Sequence, residues 1–123
     1  MFEPLRLRPG DDLRAVLAGR TGFVVAGIGS LRHAELRLAD ARGATHLPGP
    51  LEILTLSGSL TPAGVHLHAS LSDGQGRVLG GHVCFGCEVH TTVELLIAPL
   101  PPGSLTRAPD AGTGYDELVI LKP

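Results

Sequence analysis

Three of the six histidines lie in one short stretch, residues 64–82, which reads GVHLHASLSDGQGRVLGGH. Imidazole carries protons near neutral pH and is the commonest metal ligand among side chains. His66 and His68 are two residues apart, so on a strand both would point to one face while Leu67 points to the other. The spacing therefore predicts two imidazoles side by side, with His82 as a candidate third ligand.

His82 joins this pair in only one register of the predicted hairpin. The DGQG segment is a turn signal between two strand-like runs. If the turn centres on Gln75, His68 lies opposite His82 and all three imidazoles share a face. If it centres between Gly74 and Gln75, His82 points away, and a bulge at Gly80–Gly81 would change the register again. The sequence leaves these registers open.

Three neutral imidazoles plus a water form an open zinc site of the kind found in enzymes, with Zn–N distances of about 2.0–2.1 Å. The alternative is a set of polar sheet residues whose ring nitrogens are satisfied by neighbouring groups. Because the third histidine lies within reach across a short hairpin, we favour a metal site at His66, His68 and His82, with zinc as the expected ion.

A catalytic site would also need a group that transfers protons. Glu52, Glu88 and Glu94 are the candidates, and at least two of the three are expected to be ordinary surface or ion-paired residues. Glu94 ranks first because it lies within the apolar run VELLIA, where a charge is hard to place. Glu94 and Glu52 are therefore the predicted catalytic residues if the protein is an enzyme.

The other titratable residues favour structural roles. Cys84 and Cys87 form a single CxxC, which without a second pair is a weak zinc motif. Cys87 is expected in the core, and Cys84 could lie beside the histidines as an extra ligand. The remaining histidines and several arginines are expected to be solvated, with intersubunit pairs or an anion site as alternatives for the arginines: His33, His46, His90, Arg6, Arg8, Arg32 and Arg37.

The sequence pattern around these residues predicts mostly strands. One helix is predicted where Asp11 or Asp12 caps an apolar stripe that Gly19 ends. Gly27-Ile28-Gly29 follows an apolar strand, but no helix pattern follows it, so we reject a dinucleotide fingerprint and expect a tight turn. Strands are predicted in PLRLRP, TGFVVAGIGSL, AELRLAD, LEILTLSGSLT, GVHLHASLSD, RVLGGHVCFG, EVHTTVELLIA and YDELVILK.

These elements predict an α+β fold in a single domain over residues 1–123, with a mostly antiparallel sheet of seven or eight strands and one main helix. Residues 41–50 and a Pro/Gly-rich segment near 99–114 are expected to be loops. A closing strand is expected over 115–122. In LEILTLSGSLT, simple alternation puts Leu51 and Ile53 on one face and Leu54 and Leu56 on the other, so both faces are apolar.

Composition and charge narrow the function classes. The formal net charge is −2, and Lys122 is the only lysine. Nucleic-acid binding needs clustered basic residues, which this sequence lacks, and only 3% of its residues are aromatic. No apolar run approaches the roughly 20 residues of a membrane-spanning helix. The N-terminus lacks the apolar core of an export signal, so a cytoplasmic location and reduced cysteines are expected.

Several motifs in this order resemble one known family. The segments GFVVAGIGSLRHAELR, GPLEILTLSGSLTPAGVHLHASLSDGQGRVLGGHV and GCEVHTTVEL are similar to the PPC (plants and prokaryotes conserved) domain, also called DUF296, over roughly residues 5–100. The resemblance implies a stand-alone prokaryotic type and commonly a homotrimer. His66, His68 and His82 match positions that are thought to bind a metal in some single-domain members. The implied fold is similar to that of acetolactate decarboxylase, a zinc enzyme.

Three functions follow from the residues and the resemblance together. The first is an oligomeric binding or regulatory module that carries zinc and acts through protein partners. The second is a small zinc-dependent lyase or hydrolase that acts on a carboxylate metabolite. The third is direct DNA binding, the label often given to prokaryotic members. The charge count and the absence of an AT-hook motif argue against the third.

Overall fold

The computed structural model describes residues 1–121, which form eight strands and one short helix. The count of eight falls within the predicted seven or eight, but two predicted strands, TGFVVAGIGSL and AELRLAD, form one strand and another strand lies in the predicted loop 99–114. The elements are β1 (Glu3–Leu7), α1 (Leu13–Val16), β2 (Gly22–Arg37), β3 (Thr45–Thr61), β4 (Gly64–Ser72), β5 (Val78–Val83), β6 (Glu88–Pro99), β7 (Leu105–Pro109) and β8 (Asp116–Ile120). Within the described residues, no helix is both long and apolar enough to cross a membrane.

The strands form two antiparallel sheets instead of the single sheet predicted. Six strands follow the order β1-β6-β2-β3-β4-β5, and β7 and β8 pair separately. An additional pairing joins the end of β2 to β5, so β2, β3, β4 and β5 close into a ring. Because α1 has only four residues, the fold is dominated by sheet, and the predicted α+β class is confirmed only for its antiparallel sheet.

Strand β2 corrects the turn predicted at Gly27–Gly29. It runs unbroken for 16 residues, with irregularities in its pairing to β6 on either side of this segment. A Cβ atom on Gly27 would lie 2.8 Å from side-chain atoms of both Leu56 and Leu95, and Gly29 has φ +144°. These glycines therefore allow close packing inside a long, irregular strand, which glycine content alone does not distinguish from a turn.

Strand β3 corrects two further expectations. It begins at Thr45, inside the predicted loop 41–50, because this segment pairs with the end of β2. A register shift in its pairing with β4 leaves Leu54 exposed, so that Leu56 faces the core together with Ile53. A bulge adds one residue to a strand and so reverses the alternation beyond it.

The segment 99–114 is not a continuous loop, because it contains β7. Its partner β8 lies within the range 115–122, where a closing strand is predicted. Lys122 and Pro123 of that range lie outside the described residues. Arg107 on β7 donates a hydrogen bond to Ser59 of β3 at 2.8 Å, which ties this hairpin to the main sheet.

The core is aliphatic, as the composition predicts. Its largest fully buried side chains are leucines, isoleucine and valines from nearly every element of the main sheet and from α1. Asp12 caps α1, since its Oδ1 accepts hydrogen bonds from the backbone N–H groups of Arg14 and Ala15 at 3.0 Å. Leu13 and Leu17 are fully buried, so the short helix is held by packing and not by its length.

Candidate metal centre

The β4–β5 hairpin adopts the register in which the histidines converge. His68 lies opposite His82, and Ser72 lies opposite Val78, so the turn centres on Gln75. The Asp73 carboxylate fixes this turn by accepting hydrogen bonds from the backbone N–H groups of Gln75 and Arg77. The pairing continues through the two glycines before His82 with no register shift.

The three-histidine cluster, His66, His68 and His82, has ligand atoms that all lie within 4.8 Å of one another. The ring centroids are 5.0 Å apart for His66 and His68, 5.3 Å for His66 and His82, and 6.0 Å for His68 and His82. His68 is exposed and the other two are half-buried. Leu67 is fully buried on the opposite face of β4.

Two glycines let the strands approach closely enough to form the cluster. A Cβ atom on Gly58 would collide with the carbonyl oxygen of His66 on the neighbouring strand. A Cβ atom on Gly81 would lie 2.8 Å from the carbonyl oxygen of Arg37, at the point where β5 meets β2. In the pairing of β2 with β5, Arg37 lies directly opposite His82.

The surroundings favour the neutral form of two imidazoles. Burial, followed by the charges of Arg14 and Arg37, lowers the pKa of His82 to about 4. Burial, followed by the charge of Arg107, lowers the pKa of His66. A metal ion binds neutral imidazole, so these two residues need not lose a proton at neutral pH before they bind one.

Two arginines contact ring nitrogens of the cluster directly. Arg14 Nη1 lies 3.1 Å from His82 Nε2 and donates to the carbonyl oxygen of Val83 at 2.9 Å. Arg107 Nη2 lies 3.2 Å from His66 Nδ1. A guanidinium group only donates hydrogen bonds, so these two nitrogens must be the acceptors, each with a lone pair.

The donor set fits a single metal ion. In a tetrahedral site with Zn–N bonds of about 2.0–2.1 Å, ligand nitrogens are roughly 3.4 Å apart. The observed upper limit of 4.8 Å requires only small movements of the imidazole rings. The buried Nδ1 of His82 has no hydrogen-bond partner among the described residues. Such an atom is costly to leave unpaired, so the site is not a fully satisfied polar network.

The two predicted catalytic glutamates lie apart from the cluster. Glu94, on β6, is exposed and pairs with Ile28 and Arg6 in neighbouring strands. Glu52 is exposed on β3 opposite Ser72. Neither lines the hollows that contain the histidines. Their catalytic role stays a prediction.

The third candidate glutamate and two of the remaining histidines take part in side-chain hydrogen bonds. Glu88 contacts Arg32 at 3.2 Å and His33 at 3.1 Å, and His46 contacts Glu35. His33 is thus half-buried and paired, which differs from the solvated position expected for it.

The two cysteines differ in their environment. Cys87 is fully buried, as predicted, and burial raises the pKa of its thiol to about 11. Cys84 is half-buried, with its Sγ 3.7 Å from the carbonyl oxygen of His82, and does not belong to the group of converging ligand atoms.

Sequence reasoning missed Arg14, Arg107 and Glu117 as neighbours of the cluster. Arg107 and Glu117 line both hollows that contain His66, and Arg14 lines the larger one, of about 910 Å³. Arg14 carried a usable signal, because it lies in the first turn of the only predicted helix. Arg107 and Glu117 carried none, since they lie in or beside the segment that composition predicts to be a loop.

Comparison with known proteins finds relatives that align with nearly the whole chain. Two curated proteins named bifunctional protein GlmU, from Synechococcus sp. strains JA-2-3B'a(2-13) and JA-3-3Ab, are each 48% identical over 95% and 97% of this chain. The chain spans about a fifth of the length of these relatives (20% of each).

Solved structures share the fold. A hypothetical protein from Salmonella cholerae-suis (Salmonella enterica) is 40% identical, with a TM-score of 0.87 over 98% of this chain and 93% of that one. A protein from Archaeoglobus fulgidus that is described as metal-containing is 29% identical, with a TM-score of 0.81 over 99% and 94%. Structures from Bacteroides thetaiotaomicron and Ralstonia eutropha, described provisionally as DNA-binding, are 15% and 20% identical and show the fold alone.

The family model described as the Plants and Prokaryotes Conserved (PCC) domain matches residues 4–101. This range runs from the second residue of β1 to just beyond the end of β6, and it includes all three histidines of the cluster. Because the model covers most of the chain, this chain belongs to the Plants and Prokaryotes Conserved (PCC) domain family, which confirms the resemblance seen in its motifs.

Proposed function

We propose that this domain is an oligomeric binding or regulatory module that holds a zinc ion through His66, His68 and His82. The observation that carries the proposal is the convergence of three imidazoles within 4.8 Å, two of them with a lowered pKa. The relative described as metal-containing supports it. Imidazole ligands suit zinc and also copper, iron and nickel, so the metal's identity is part of the test.

The oligomer in this proposal is a homotrimer. Several large apolar side chains on β2 and β3 are exposed in the single chain, among them Val25 at 48%, Ile28 at 57% and Leu54 at 48%. Exposed apolar patches on a sheet commonly mark an interface. A symmetric assembly would cover them, and regulation would then act through protein partners of the assembled form.

Elemental analysis tests the metal site. Protein expressed in metal-replete medium is expected to carry about one zinc per chain, and His68→Ala is expected to lose most of it, because two imidazoles bind zinc far more weakly than three. His90→Ala is the matched control, since His90 is exposed and lies outside the cluster. A wild-type protein without stoichiometric zinc, iron, copper or nickel would refute the proposal.

The second candidate is a small zinc-dependent lyase or hydrolase acting on a carboxylate metabolite. The observation that favours it is the open hollow beside the histidines, into which a substrate could enter. Zinc, when bound, would polarise a substrate oxygen or activate water. Glu94 and Glu52 remain the proposed proton-transfer residues, and Glu117, which lines the hollow, joins them. The fold likeness to acetolactate decarboxylase belongs to this candidate as an analogy.

Turnover decides between the two candidates. If the domain is an enzyme, the zinc-loaded protein should convert at least one small hydroxy- or keto-carboxylate, and His68→Ala should abolish that conversion. If zinc is bound stoichiometrically and no such substrate turns over, the binding module stands.

Direct DNA binding is the third candidate, and only the provisional description of two distant relatives favours it. It predicts duplex affinity that falls steeply with salt. An absence of binding to duplex DNA at low salt would remove it.

A further inference from the structure

Arg14, Arg37 and Arg107 reach the three-histidine cluster from three different elements. They lie on α1, β2 and β7, and all three line the 910 Å³ hollow that contains His66 and His82. Within residues 1–121, none of the three forms a salt bridge with a carboxylate. Other arginines of the chain do form such pairs, namely Arg20, Arg32 and Arg77.

Two of these arginines contact ring nitrogens that a metal could use. The lone pair of His82 Nε2 faces Arg14 Nη1, and that of His66 Nδ1 faces Arg107 Nη2. A metal ion that binds through either nitrogen must displace the guanidinium group from it. The displaced N–H groups would then lack an acceptor, which is unfavourable in a half-buried hollow.

The charges around the hollow also indicate that a metal would need an anion beside it. Arg42 also lines this hollow, so four guanidinium groups surround it. A divalent ion would raise the positive charge around the hollow to six. The carboxylates that line it are Asp40, Asp116 and Glu117. None of them pairs with the three arginines, so the charge of a loaded site is not balanced by the described residues. An anion with two or more oxygens would accept the freed N–H groups and balance the charge, because guanidinium matches carboxylate and phosphate in geometry.

Building on the metal site proposed above, we propose that this hollow binds the carboxylate or phosphate group of a small molecule between the arginines and the metal. Metal binding and anion binding then strengthen each other, since the two opposite charges attract and the anion offsets the positive charge that the metal adds. The three arginines act as binding residues, and Arg14 and Arg107 exchange their imidazole partners for the oxygens of the ligand.

The hollow favours a small molecule over the backbone of a nucleic acid. Its acidic lining residues would repel a polyanion that ran past the arginines. Arg14 also lies 5.0 Å from the ring centre of Phe85, and Tyr115 lines the hollow; both aromatic side chains are exposed. Tyr115 offers apolar surface for the remainder of a small ligand, whereas Phe85 lies beside Arg14 and does not line the hollow.

Calorimetry tests the proposal with inorganic phosphate and acetate as separate probes, each titrated into metal-free and zinc-loaded protein. At least one probe should bind, and zinc should tighten its binding about tenfold or more, as expected for coupled sites. The probe that binds more tightly identifies the source of the anionic group. A duplex DNA titration in parallel should show no binding; if DNA binds and both small anions do not, the inference is overturned.

Single substitutions test which arginines bind the anion. Arg107→Gln and Arg37→Gln should each weaken binding of the preferred probe about tenfold, because each removes a charge-assisted contact. Arg8→Gln removes the same charge at an exposed position outside the hollow and should leave the affinity unchanged. Arg37 forms no ion pair within the described chain, so its replacement should not unfold the protein even if that of Arg107 does.

The outcomes separate this inference from the metal proposal. If zinc does not bind but phosphate or acetate binds metal-free protein and is weakened by Arg37→Gln, the metal proposal fails and the anion site stands without its coupling. If zinc binds and neither probe binds in any state, the anion site is refuted while the metal site stands. Equal affinities in Arg8→Gln, Arg37→Gln and Arg107→Gln would also refute it.

Discussion

His82 shows how a single residue joins the electrostatics of the site to the stability of the protein. Its pKa in the folded chain is about 4, against an ordinary value of 6.5. At a pH between these two pKa values, the His82 imidazole is mostly protonated in the unfolded chain and mostly neutral in the folded chain. The contribution of His82 to stability is therefore complete above pH 6.5 and is lost as the pH falls towards 4. The lowered pKa of His66 acts in the same direction.

The melting temperature of metal-free protein should therefore fall as the pH is lowered from 7 to 4.5. Replacing His82 by asparagine removes this titration, so His82→Asn should show a shallower fall over the same range. His90→Ala should keep the slope of the wild type. Thermal denaturation followed by circular dichroism measures all three, and an unchanged slope in His82→Asn would contradict the assignment.

At the scale of elements, the short helix is important because it presents Arg14 to the cluster. Its cap, Asp12, also accepts a hydrogen bond from the backbone N–H of Gly86 at 2.7 Å through Oδ2. One carboxylate thus satisfies the start of the helix and the loop that follows β5. This double role explains how four helical residues hold a fixed position.

Asp12→Ala should lower the free energy of unfolding by about 1–2 kcal/mol, the usual cost of losing such a cap. Asp12→Asn keeps an oxygen that can accept the capping hydrogen bonds and should cost much less. Urea denaturation measures both variants. Equal stability of Asp12→Ala and the wild type would show that the cap does not hold this helix.

The close contact between β3 and β4 at Gly58 helps to position His66 in the site. An alanine methyl group there would meet the His66 carbonyl oxygen and would lie 2.8 Å from Leu67 Cα. Both obstacles are backbone atoms, so rotating a side chain cannot relieve the clash, and the strands must separate.

Gly58→Ala should therefore destabilise the protein by about 1–3 kcal/mol, the usual range for overpacking, and should reduce zinc binding because His66 moves. Gly74→Ala is the matched control, since a Cβ atom there meets nothing within 4 Å. Melting temperature and zinc content per chain are the measurements. If the two variants behave alike, the strand contact does not position His66.

At the scale of the whole molecule, the exposed apolar residues of β2 and β3 lead to a prediction about assembly. Light scattering should give a mass about three times that of the 12.8 kDa chain. Ile28→Lys should yield smaller species, because burying a charge in an apolar interface is costly. Gln75→Lys adds the same charge at the exposed hairpin turn and should remain trimeric. A monomeric wild type would contradict the prediction.

Two features of the whole molecule complete the site, namely the closed ring of β2 to β5 and the contact of the β7–β8 hairpin with the main sheet. The ring brings Arg37 opposite His82, and the hairpin brings Arg107 to His66. Both contacts join residues more than 40 positions apart in the chain. A pattern of neighbouring residues contains no information about such pairings.

Several features of the protein follow from the sequence because they depend only on residues that are close together in the chain. Alternation along a strand places His66 and His68 on one face, DGQG gives a turn, the apolar pattern gives a buried aliphatic core, and the ordered motifs give the family. Tertiary structure alone decided the register that brings His82 to the pair, the unbroken path of β2 through its glycines and the strand within residues 99–114. Each of these depends on which distant strand a segment pairs with, because pairing and packing across the sheet override local preference.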